Sequence, residues 1–397
     1  MSKKKIIIIA CIVLALLGGA TAIFLLKSQS ETSDNQTSAS FDESDENTEH
    51  TVSSKNIDLG SYESGAIVKI NAGGEYILSG KLTGQIVVEV SDQEKVQLYL
   101  NNADITNPTD AAILVMNADK TIITLNEGTA NSVTDGSTYT DTERDATIYS
   151  HDDLTINGSG SLSVKANYNN GIESRDDLKI TGGDITIVAA HHGLFGNNSF
   201  EAKTASISIT AGMDGIHTDG DMIIESGTFV ISVDDDGMHA DNNLTINNGT
   251  ITIKNSYEGI EATNVIINNG TIDITASDDG INGAGGNDDN SSSSTTQGGR
   301  NRPQDNFSKS TGTITINGGN ITIAAATSGD GDGLDSNGNI VVTGGDTIIK
   351  TPAVARDYTA VDFDGTFTMT GGRIRTLSQN GTYTEVTQNN VSSGMRR

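Results

Sequence analysis

The chain has no tryptophan, one cysteine and three prolines among its 397 residues, and aromatic residues make up only 4%. The single Cys11 cannot form an intramolecular disulfide, which excludes a disulfide-stabilised scaffold. Scarce proline and the absence of a strict glycine period exclude collagen. Basic residues are also few, because 24 Lys and Arg face 52 Asp and Glu for a net charge of −28. Such a surface repels phosphates, which excludes nucleic-acid binding.

One long hydrophobic run is present, at residues 6–26, with lysines on both sides. As a helix its 21 residues rise about 31 Å, enough to cross a bilayer core of about 30 Å. Because the lysine cluster precedes the run, we expect the rest of the chain outside the cell. We therefore assign residues 1–27 to a signal anchor. Two alternatives stay open, a cleaved signal peptide ending near Ala20-Thr21-Ala22 and a loose lipobox at Cys11, and both also export the chain.

Two polar segments lack the apolar residues needed for a core. Residues 28–55 are rich in Ser, Thr, Asn, Asp and Glu, which predicts a disordered acidic linker. Residues 382–397 are predicted to be a disordered tail. We expect the chain to be a membrane-tethered cell-surface protein, or a secreted one if the signal is cleaved, and a monomer.

The dominant feature is an internal repeat in which a glycine followed by an apolar residue recurs every 21 or 22 residues. The repeated steps are Gly171-Ile172, Gly193-Leu194, Gly215-Ile216, Gly237-Met238, Gly259-Ile260 and Gly280-Ile281. Each unit holds three short segments of alternating polarity, which is typical of strands. A unit this short cannot bury its apolar face alone and must stack on its neighbours. The sequence therefore predicts an all-β fold, a right-handed single-stranded parallel β-helix.

The predicted β-helix occupies residues 146–381, and residues 56–145 are predicted to form an N-terminal cap and the first, less regular coils. After Gly280 the next matching step is Gly333-Leu334. Residues 284–310 are therefore interpreted as a mobile insert within one coil.

Stacking places equivalent residues of successive coils about 4.8 Å apart, and several such columns are acidic. Two carboxylates at this distance repel each other by roughly 3–4 kcal/mol at an effective dielectric constant of about 20. Divalent cations, most plausibly Ca²⁺, would relieve this repulsion. The predicted ligands are Asp214, Asp219, Asp236, Asp241, Glu258, Glu261, Asp278, Asp279, Asp330, Asp332 and Asp335. Asp-Gly is also a common turn dipeptide, so a purely structural role stays open for each aspartate.

Two histidines, His217 and His239, fall in one column with Glu261. They could bind a transition metal or form a hydrogen-bonded ladder, and the sequence leaves both interpretations open. No Ser/His/Asp set, usable cysteine nucleophile or phosphate-binding loop is evident. A lyase would need a lysine or arginine base beside a calcium site, and no basic residue marks a repeated position. We predict no catalytic residues.

The run from Asp330 to Gly338 (DGDGLDSNG), the segment Asp279-Gly280-Ile281-Asn282 and the Asn-Gly-Gly-type turns resemble the clostridial extracellular carbohydrate-binding β-helix family. That family is similar in fold to family 9 polysaccharide lyases. The resemblance implies bound calcium and affinity for cellulose and acidic plant polysaccharides such as polygalacturonate, without established catalysis. It also implies calcium ligation at Asp332 and Asp335 and, by repeat position, at Asp214, Asp236 and Asp279.

The function expected from these observations is calcium-dependent, non-catalytic binding of an extracellular polysaccharide. A strongly acidic chain would hold polygalacturonate through Ca²⁺ shared between protein and sugar carboxylates. The lack of tryptophan disfavours stacking on neutral sugars, so the expectation that the chain binds cellulose rests on the resemblance alone. Two alternatives stay open: a calcium-dependent pectate-type lyase and a structural surface or adhesion protein.

Overall fold

The computed structural model describes residues 38–284, 312–327, 331–354 and 358–391. The described residues belong to one compact unit. The predicted signal segment, residues 1–27, lies outside the described residues. Within the described ranges, no helix has the length and hydropathy needed to span a membrane.

Nearly all regular structure is β-strand. Among the described residues, the helical elements are α1 (Glu43–Glu46) and one 3₁₀ turn (Leu59–Ser61). The strands of the first half are β1 (Lys55–Asp58), β2 (Ala66–Ile70), β3 (Gly74–Glu89), β4 (Lys95–Asn107), β5 (Ile113–Asn117), β6 (Lys120–Leu125), β7 (Ala130–Asp135), β8 (Ala146–Ser150), β9 (Leu154–Gly158), β10 (Ser161–Ala166), β11 (Asn170–Ser174), β12 (Asp177–Ile180), β13 (Asp184–Ala189), β14 (Leu194–Gly196), β15 (Ser199–Ala202) and β16 (Ser206–Ala211). The remaining strands are β17 (Ile216–Thr218), β18 (Asp221–Ile224), β19 (Thr228–Val233), β20 (Met238–Ile246), β21 (Thr250–Asn255), β22 (Ile260–Ile267), β23 (Thr271–Thr275), β24 (Ile281–Gly283), β25 (Thr313–Ile316), β26 (Asn320–Ala324), β27 (Leu334–Ser336), β28 (Asn339–Val342), β29 (Asp346–Lys350), β30 (Phe367–Met369), β31 (Arg373–Leu377) and β32 (Tyr383–Val386).

The strands pair in parallel along three columns, which we call sheets 1, 2 and 3. Sheet 1 contains the strands that follow the repeating glycine, such as β11, β14 and β17. Sheet 2 continues through β9, β12 and β15, and sheet 3 through β10, β13 and β16. The chain thus makes about 13 turns of a parallel β-solenoid. The predicted all-β, parallel β-helix architecture is confirmed.

The core is a set of stacked aliphatic columns that run along the solenoid axis. In sheet 1, Ile172, Leu194, Ile216, Met238 and Ile260 are partners in successive strands, and all are fully buried. Their positions match the repeat found in the sequence, because one coil adds one residue to each column. Burying each such side chain contributes roughly 1.5–3 kcal/mol. The stability of the fold is therefore distributed along the axis.

The repeating glycine lies at the corner where the chain enters sheet 1. A Cβ atom at Gly259 would lie 2.3 Å from the carbonyl oxygen of Gly280 and 2.4 Å from a methyl carbon of Ile274. Gly215 and Gly237 meet the next coil in the same way. Only glycine therefore allows neighbouring coils to approach at this corner.

Residues 28–55 are predicted to be a disordered linker, but the part that the structure describes is ordered. Residues 38–50, which we call the strap, lie along the outer face of sheet 2. The strap contains α1, whose N-terminal Asp42 accepts hydrogen bonds from the backbone N–H groups of Ser44 and Asp45. Asp45 is fully buried and accepts a 2.9 Å hydrogen bond from Nζ of Lys120. Specific pairing with remote lysines thus orders a segment whose composition alone predicts disorder.

The predicted tail and insert also have described parts. Within residues 382–397, Tyr383–Val386 form β32, which pairs antiparallel with β31, and Val386 packs into the core. This pairing corrects the expectation of a wholly disordered tail, because β32 covers the last coil. Residues 285–310 of the predicted insert lie outside the described residues. The solenoid register continues across them, since β24 pairs with β27 and β22 pairs with β25.

Candidate acidic site at the glycine corner

Two columns of polar residues line the glycine corner of sheet 1. The outer face of this sheet carries the second residue after each repeating glycine, and the strand registers join these residues in a continuous series. The series is Tyr149, Glu173, Phe195, His217, His239, Glu261, Asn282 and Asp335. The residue before each glycine forms the second column, which contains His192, Asp214, Asp236, Glu258, Asp279 and Asp332. The sequence predicted both columns, and the structure places them side by side.

The residues before the glycines connect one coil to the next. The backbone N–H of Asp236 donates to Oδ1 of Asp214 at 2.9 Å, and the N–H of Glu258 donates to Oδ1 of Asp236 at 3.1 Å. The N–H of Asp332 donates to Oδ1 of Asp279 at 2.5 Å. One oxygen of each of these three aspartates therefore has a structural role. A structural role for these aspartates is the alternative that the sequence leaves open. Here the side chain accepts a hydrogen bond from the next coil, whereas the expected turn cap would accept one from its own turn.

One cluster of three carboxylates consists of Asp279, Asp332 and Asp335. One carboxylate oxygen from each lies within 4.8 Å of the others, and all three residues are buried. Burial, together with the nearby charges of Asp335 and Asp278, raises the pKa of Asp279 to about 9. A carboxyl held neutral in this way becomes a good ligand when a cation supplies compensating charge. The donors are all oxygens, so the cluster fits a hard cation such as Ca²⁺.

A second group centres on His239, between Asp236 and Glu261. Nδ1 of His239 lies 3.2 Å from Oδ2 of Asp236 and 3.0 Å from Oε2 of Glu261. Its Nε2 lies 3.2 Å from Asp241 on the more exposed flank. Burial disfavours the charged ring, but the hydrogen bonds to the three carboxylates raise the pKa of His239 well above its ordinary value. These hydrogen bonds favour the charged imidazolium form of His239.

The neighbouring coil repeats this arrangement around Asp214. Oδ2 of Asp214 lies 2.8 Å from Nδ1 of His217 and 3.3 Å from Nδ1 of His192. Burial opposes ionisation of this carboxyl, yet the hydrogen bonds from both histidines lower its pKa. The rings of His217 and His239 stack at 4.8 Å with an interplanar angle of 5°. This geometry fits the hydrogen-bonded ladder. The same side chains also form two groups whose ligand atoms lie within 4.8 Å of one another, as a metal site requires, so both interpretations stay open.

The remaining predicted ligands lie at the edges of these groups. Asp219 is exposed and lies 3.3 Å from Nε2 of His217. Glu258 accepts a 2.9 Å hydrogen bond from Asn282, and burial together with the charges of Glu261, Asp236 and Asp279 raises its pKa. Asp278 adjoins Asp279 and lies next to Gly331. Asp330 lies outside the described residues.

Two residues of these clusters are not among the eleven predicted ligands, although the sequence places Asp235 in an acidic run with Asp234 and Asp236. The sequence suggests no interaction partner for His192, although its position before Gly193 places it in the acidic column. Asp235 lies in a group with Asp214 and Asp236, and burial raises its pKa to about 6.

A separate acidic group, Asp153, Asp176 and Asp177, was also not predicted. It lies at the entrance to sheet 2, and burial raises the pKa of Asp153 to about 6. The Asp-Asp pairs at 152–153 and 176–177 repeat one coil apart in the sequence, and this repetition was the available clue.

Three comparisons relate the chain to known proteins. A family model described as "Carbohydrate-binding domain-containing protein" matches residues 64–301, more than half of the chain. A protein of that name from Acetivibrio thermocellus is 39% identical over 197 residues, which are 48% of this chain and 66% of the relative. The match therefore spans just under two thirds of the relative's length.

A solved structure, described as the polysaccharide lyase-like protein from C. thermocellum in a gadolinium derivative, is 34% identical to this chain. It superposes with a TM-score of 0.52 over 54% of this chain and 96% of its own length. The resemblance to a clostridial carbohydrate-binding β-helix family, inferred from the sequence, is confirmed.

Proposed function

Because the chain belongs to the family of carbohydrate-binding domain-containing proteins, we propose that it is an extracellular protein that binds polysaccharide without cleaving it. The proposed ligand is an acidic glycan such as polygalacturonate, with cellulose as a second ligand that rests on resemblance alone. The proposed location is the outer face of the cell membrane, or the medium if the signal is cleaved. Binding depends on Ca²⁺ held at the glycine corner.

The observation that carries the proposal is the convergence of buried carboxylates at Asp279, Asp332 and Asp335. Three acids whose oxygens lie within 4.8 Å are unfavourable unless protons or cations compensate them. All three were predicted ligands, and their oxygen-only donor set suits Ca²⁺. The solved relative was studied as a gadolinium derivative, and trivalent lanthanides are also hard cations that prefer oxygen. This description supports a cation site without identifying its ligands here.

The chain's own residues prepare this corner for an anionic ligand in two ways. Asp279 and Asp332 each use one oxygen to accept a backbone N–H from the next coil, which fixes their positions. Asp219 and Asp241 lie on the flank, where their side chains are 47% and 36% exposed. Calcium bound at the corner would supply the positive charge that protein and uronate carboxylates share. Without it, a chain of net charge −28 repels polygalacturonate.

The absence of catalysis is proposed from the placement of the basic residues. Lys203 follows β15 of sheet 2 and pairs with Glu46 of the strap, away from the glycine corner. Arg175 lies 3.4 Å from Glu173 at the edge of the acidic columns. The second candidate function, a calcium-dependent lyase, is favoured by one observation, the lyase-like description of the solved relative.

The test is retention of the full chain on immobilised polygalacturonate, with Ca²⁺ and with a chelator, while ultraviolet absorbance reports unsaturated uronides. We expect retention in Ca²⁺, release by the chelator and no absorbance increase. The variant Asp335→Asn should lose retention. The matched variant Asp273→Asn, which neutralises an exposed carboxylate of sheet 3, should retain it. Equal retention in chelator would contradict calcium dependence, and a rise in absorbance would establish the lyase.

A further inference from the structure

The strap covers a face of the solenoid on which four lysines lie, with Asp153 beside Lys120 and Glu201 beside Lys179. Lys95, Lys120 and Lys179 project from β4, β6 and β12 on the outer side of sheet 2, and Lys203 follows β15. We call this surface the lysine face. Lys120 and Lys179 are two coils apart, a distance of about 10 Å along the axis. Within the described part of sheet 2, the strap carboxylates lie over this surface.

Carboxylates of the strap pair with Lys95, Lys120 and Lys203. Lys179 instead pairs with Glu201 of the solenoid at 3.6 Å. Nζ of Lys120 lies 2.9 Å from Asp45 and 3.1 Å from Asp42, and Nζ of Lys95 lies 3.9 Å from Asp42. Lys120 is 6% exposed and Asp45 is fully buried. Buried ions are costly to desolvate, so each requires a partner of opposite charge. The face is therefore built to hold carboxylates.

The rest of the face donates hydrogen bonds to the strap backbone. Nε2 of Gln97 donates to the carbonyl of Asn47 at 2.9 Å, and Oη of Tyr99 donates to the carbonyl of Glu49 at 2.8 Å. Nδ2 of Asn157 donates to the same carbonyl of Asn47 at 3.0 Å. These donors would serve the ring and hydroxyl oxygens of a sugar equally well, since they recognise oxygen and not a peptide sequence.

The strap crosses successive coils of the solenoid, as a linear polysaccharide bound to this face would. The N–H of Ala39 donates to Glu225 at one end, and the N–H of Thr51 donates to Glu75 at the other. Lys179 Nζ binds the carbonyl of Ser40 at 2.7 Å, between these ends. Glu225 and Glu201, which lies 3.6 Å from Nζ of Lys179, are at the Ala39 end and would repel an anion. An anionic ligand is therefore confined to the stretch from Lys95 to Lys179.

We propose that the lysine face is a second glycan-binding surface, specific for carboxylate-bearing polysaccharide, and that the strap occupies it as an intramolecular substitute for that ligand. The inference rests on the proposed function for the class of glycan. It differs from that function in its site and in needing no cation, because the lysines themselves supply the positive charge. Displacement of the strap opens the surface.

The test compares two full-length variants that change charge equally. Asp45→Lys places a second ammonium beside buried Lys120 and should release the strap. Glu43→Lys changes the same helix at an exposed side chain and should leave it in place. Hydrogen exchange of residues 38–50 reports release, and retention on polygalacturonate in chelator reports the opened face. We expect fast exchange and at least about tenfold tighter retention for Asp45→Lys only, equivalent to about 1.4 kcal/mol.

Adding Lys120→Met and Lys179→Met to Asp45→Lys should abolish the gain, which separates the lysine face from a general effect of charge. A released strap with retention equal to that of Glu43→Lys would overturn the inference, and so would a strap that stays protected in Asp45→Lys. Unaltered protein in Ca²⁺ is run in parallel. Loss of its retention alone would contradict the calcium-dependent function and leave the lysine face standing.

Discussion

The glycine corner and the lysine face treat carboxylates in opposite ways. At the corner, acids from neighbouring coils gather with like acids, and backbone N–H groups and histidines only partly compensate them. On the lysine face, acids from a distant segment pair with lysines, and Lys120 and Asp45 are 75 positions apart. The first arrangement brings like charges together and favours binding of a cation, whereas the second pairs opposite charges without one. Charge counted over the whole chain therefore says little about what each surface binds.

The largest expected effect on stability comes from adding a side chain at the glycine corner. Gly259→Ala would place a methyl 2.3 Å from the carbonyl oxygen of Gly280, and overpacking against backbone should cost about 3 kcal/mol or more. Gly60→Ala is the control, because its new methyl would meet only a side-chain oxygen of Asp58 at 3.3 Å. The control should change stability by no more than about 0.5 kcal/mol. Chemical denaturation measures both. Equal stability of the two variants would contradict the close approach of the coils.

The next effect comes from removing the lysine that holds the strap on the lysine face. Lys120→Met leaves Asp45 buried without its ammonium partner, and breaking a buried pair typically costs about 3–5 kcal/mol. Because the strap can leave its site, we expect this cost to appear as loss of hydrogen-exchange protection in residues 38–50, with the solenoid unchanged. Lys81→Met, at an exposed pair with Asp104, should leave that protection intact. An unchanged strap in Lys120→Met would show that the pair does not hold it.

The third effect is the stabilisation that calcium gives when it binds at the glycine corner. Calcium at 100 times its dissociation constant should stabilise the chain by about 2.7 kcal/mol, since only the folded state presents the site. Asp279→Asn should remove most of this stabilisation, whereas Asp273→Asn should keep it. Thermal unfolding with and without Ca²⁺ measures the difference. A calcium response that survives in Asp279→Asn would place the cation elsewhere.

The smallest effect is the pH dependence of the strap. The hydrogen bond from Ser44 and the pairing with Lys120 lower the pKa of Asp42, so its contribution is present above pH about 4 and is lost as the pH falls further. Burial would lower the pKa of Lys120, but the bonds to Asp45 and Asp42 raise it, so its contribution is lost only above pH about 10. The pairing of Asp42 with Lys120 should therefore contribute equally to strap protection throughout this interval. Asp42 is exposed, so water screens its pairing and the acid-side change is small.

Hydrogen exchange corrected for intrinsic rates measures this profile, and Asp42→Asn should flatten its acid side. A strap that loosens near neutral pH would contradict the assignment.

The two regions also differ in what the sequence could predict. The corner follows from a repeat of 21 or 22 residues, because stacking turns sequence period into spatial proximity. The spacing of the repeat alone was enough to place His217, His239 and Glu261 in one column. The lysine face could not be predicted, because the strap meets it through contacts such as that between Lys179 and Ser40, which are 139 positions apart. No period relates such segments, and the composition of the strap alone predicts disorder.

The measurement that tests the central claim most directly is a calcium titration of the full chain with and without a galacturonate oligomer. If protein and sugar carboxylates share calcium, the oligomer must tighten calcium binding by the same factor by which calcium tightens the oligomer. We predict this reciprocal gain, and its loss in Asp335→Asn. Calcium affinity that is identical with and without the oligomer would contradict the account and leave the ions a purely structural role.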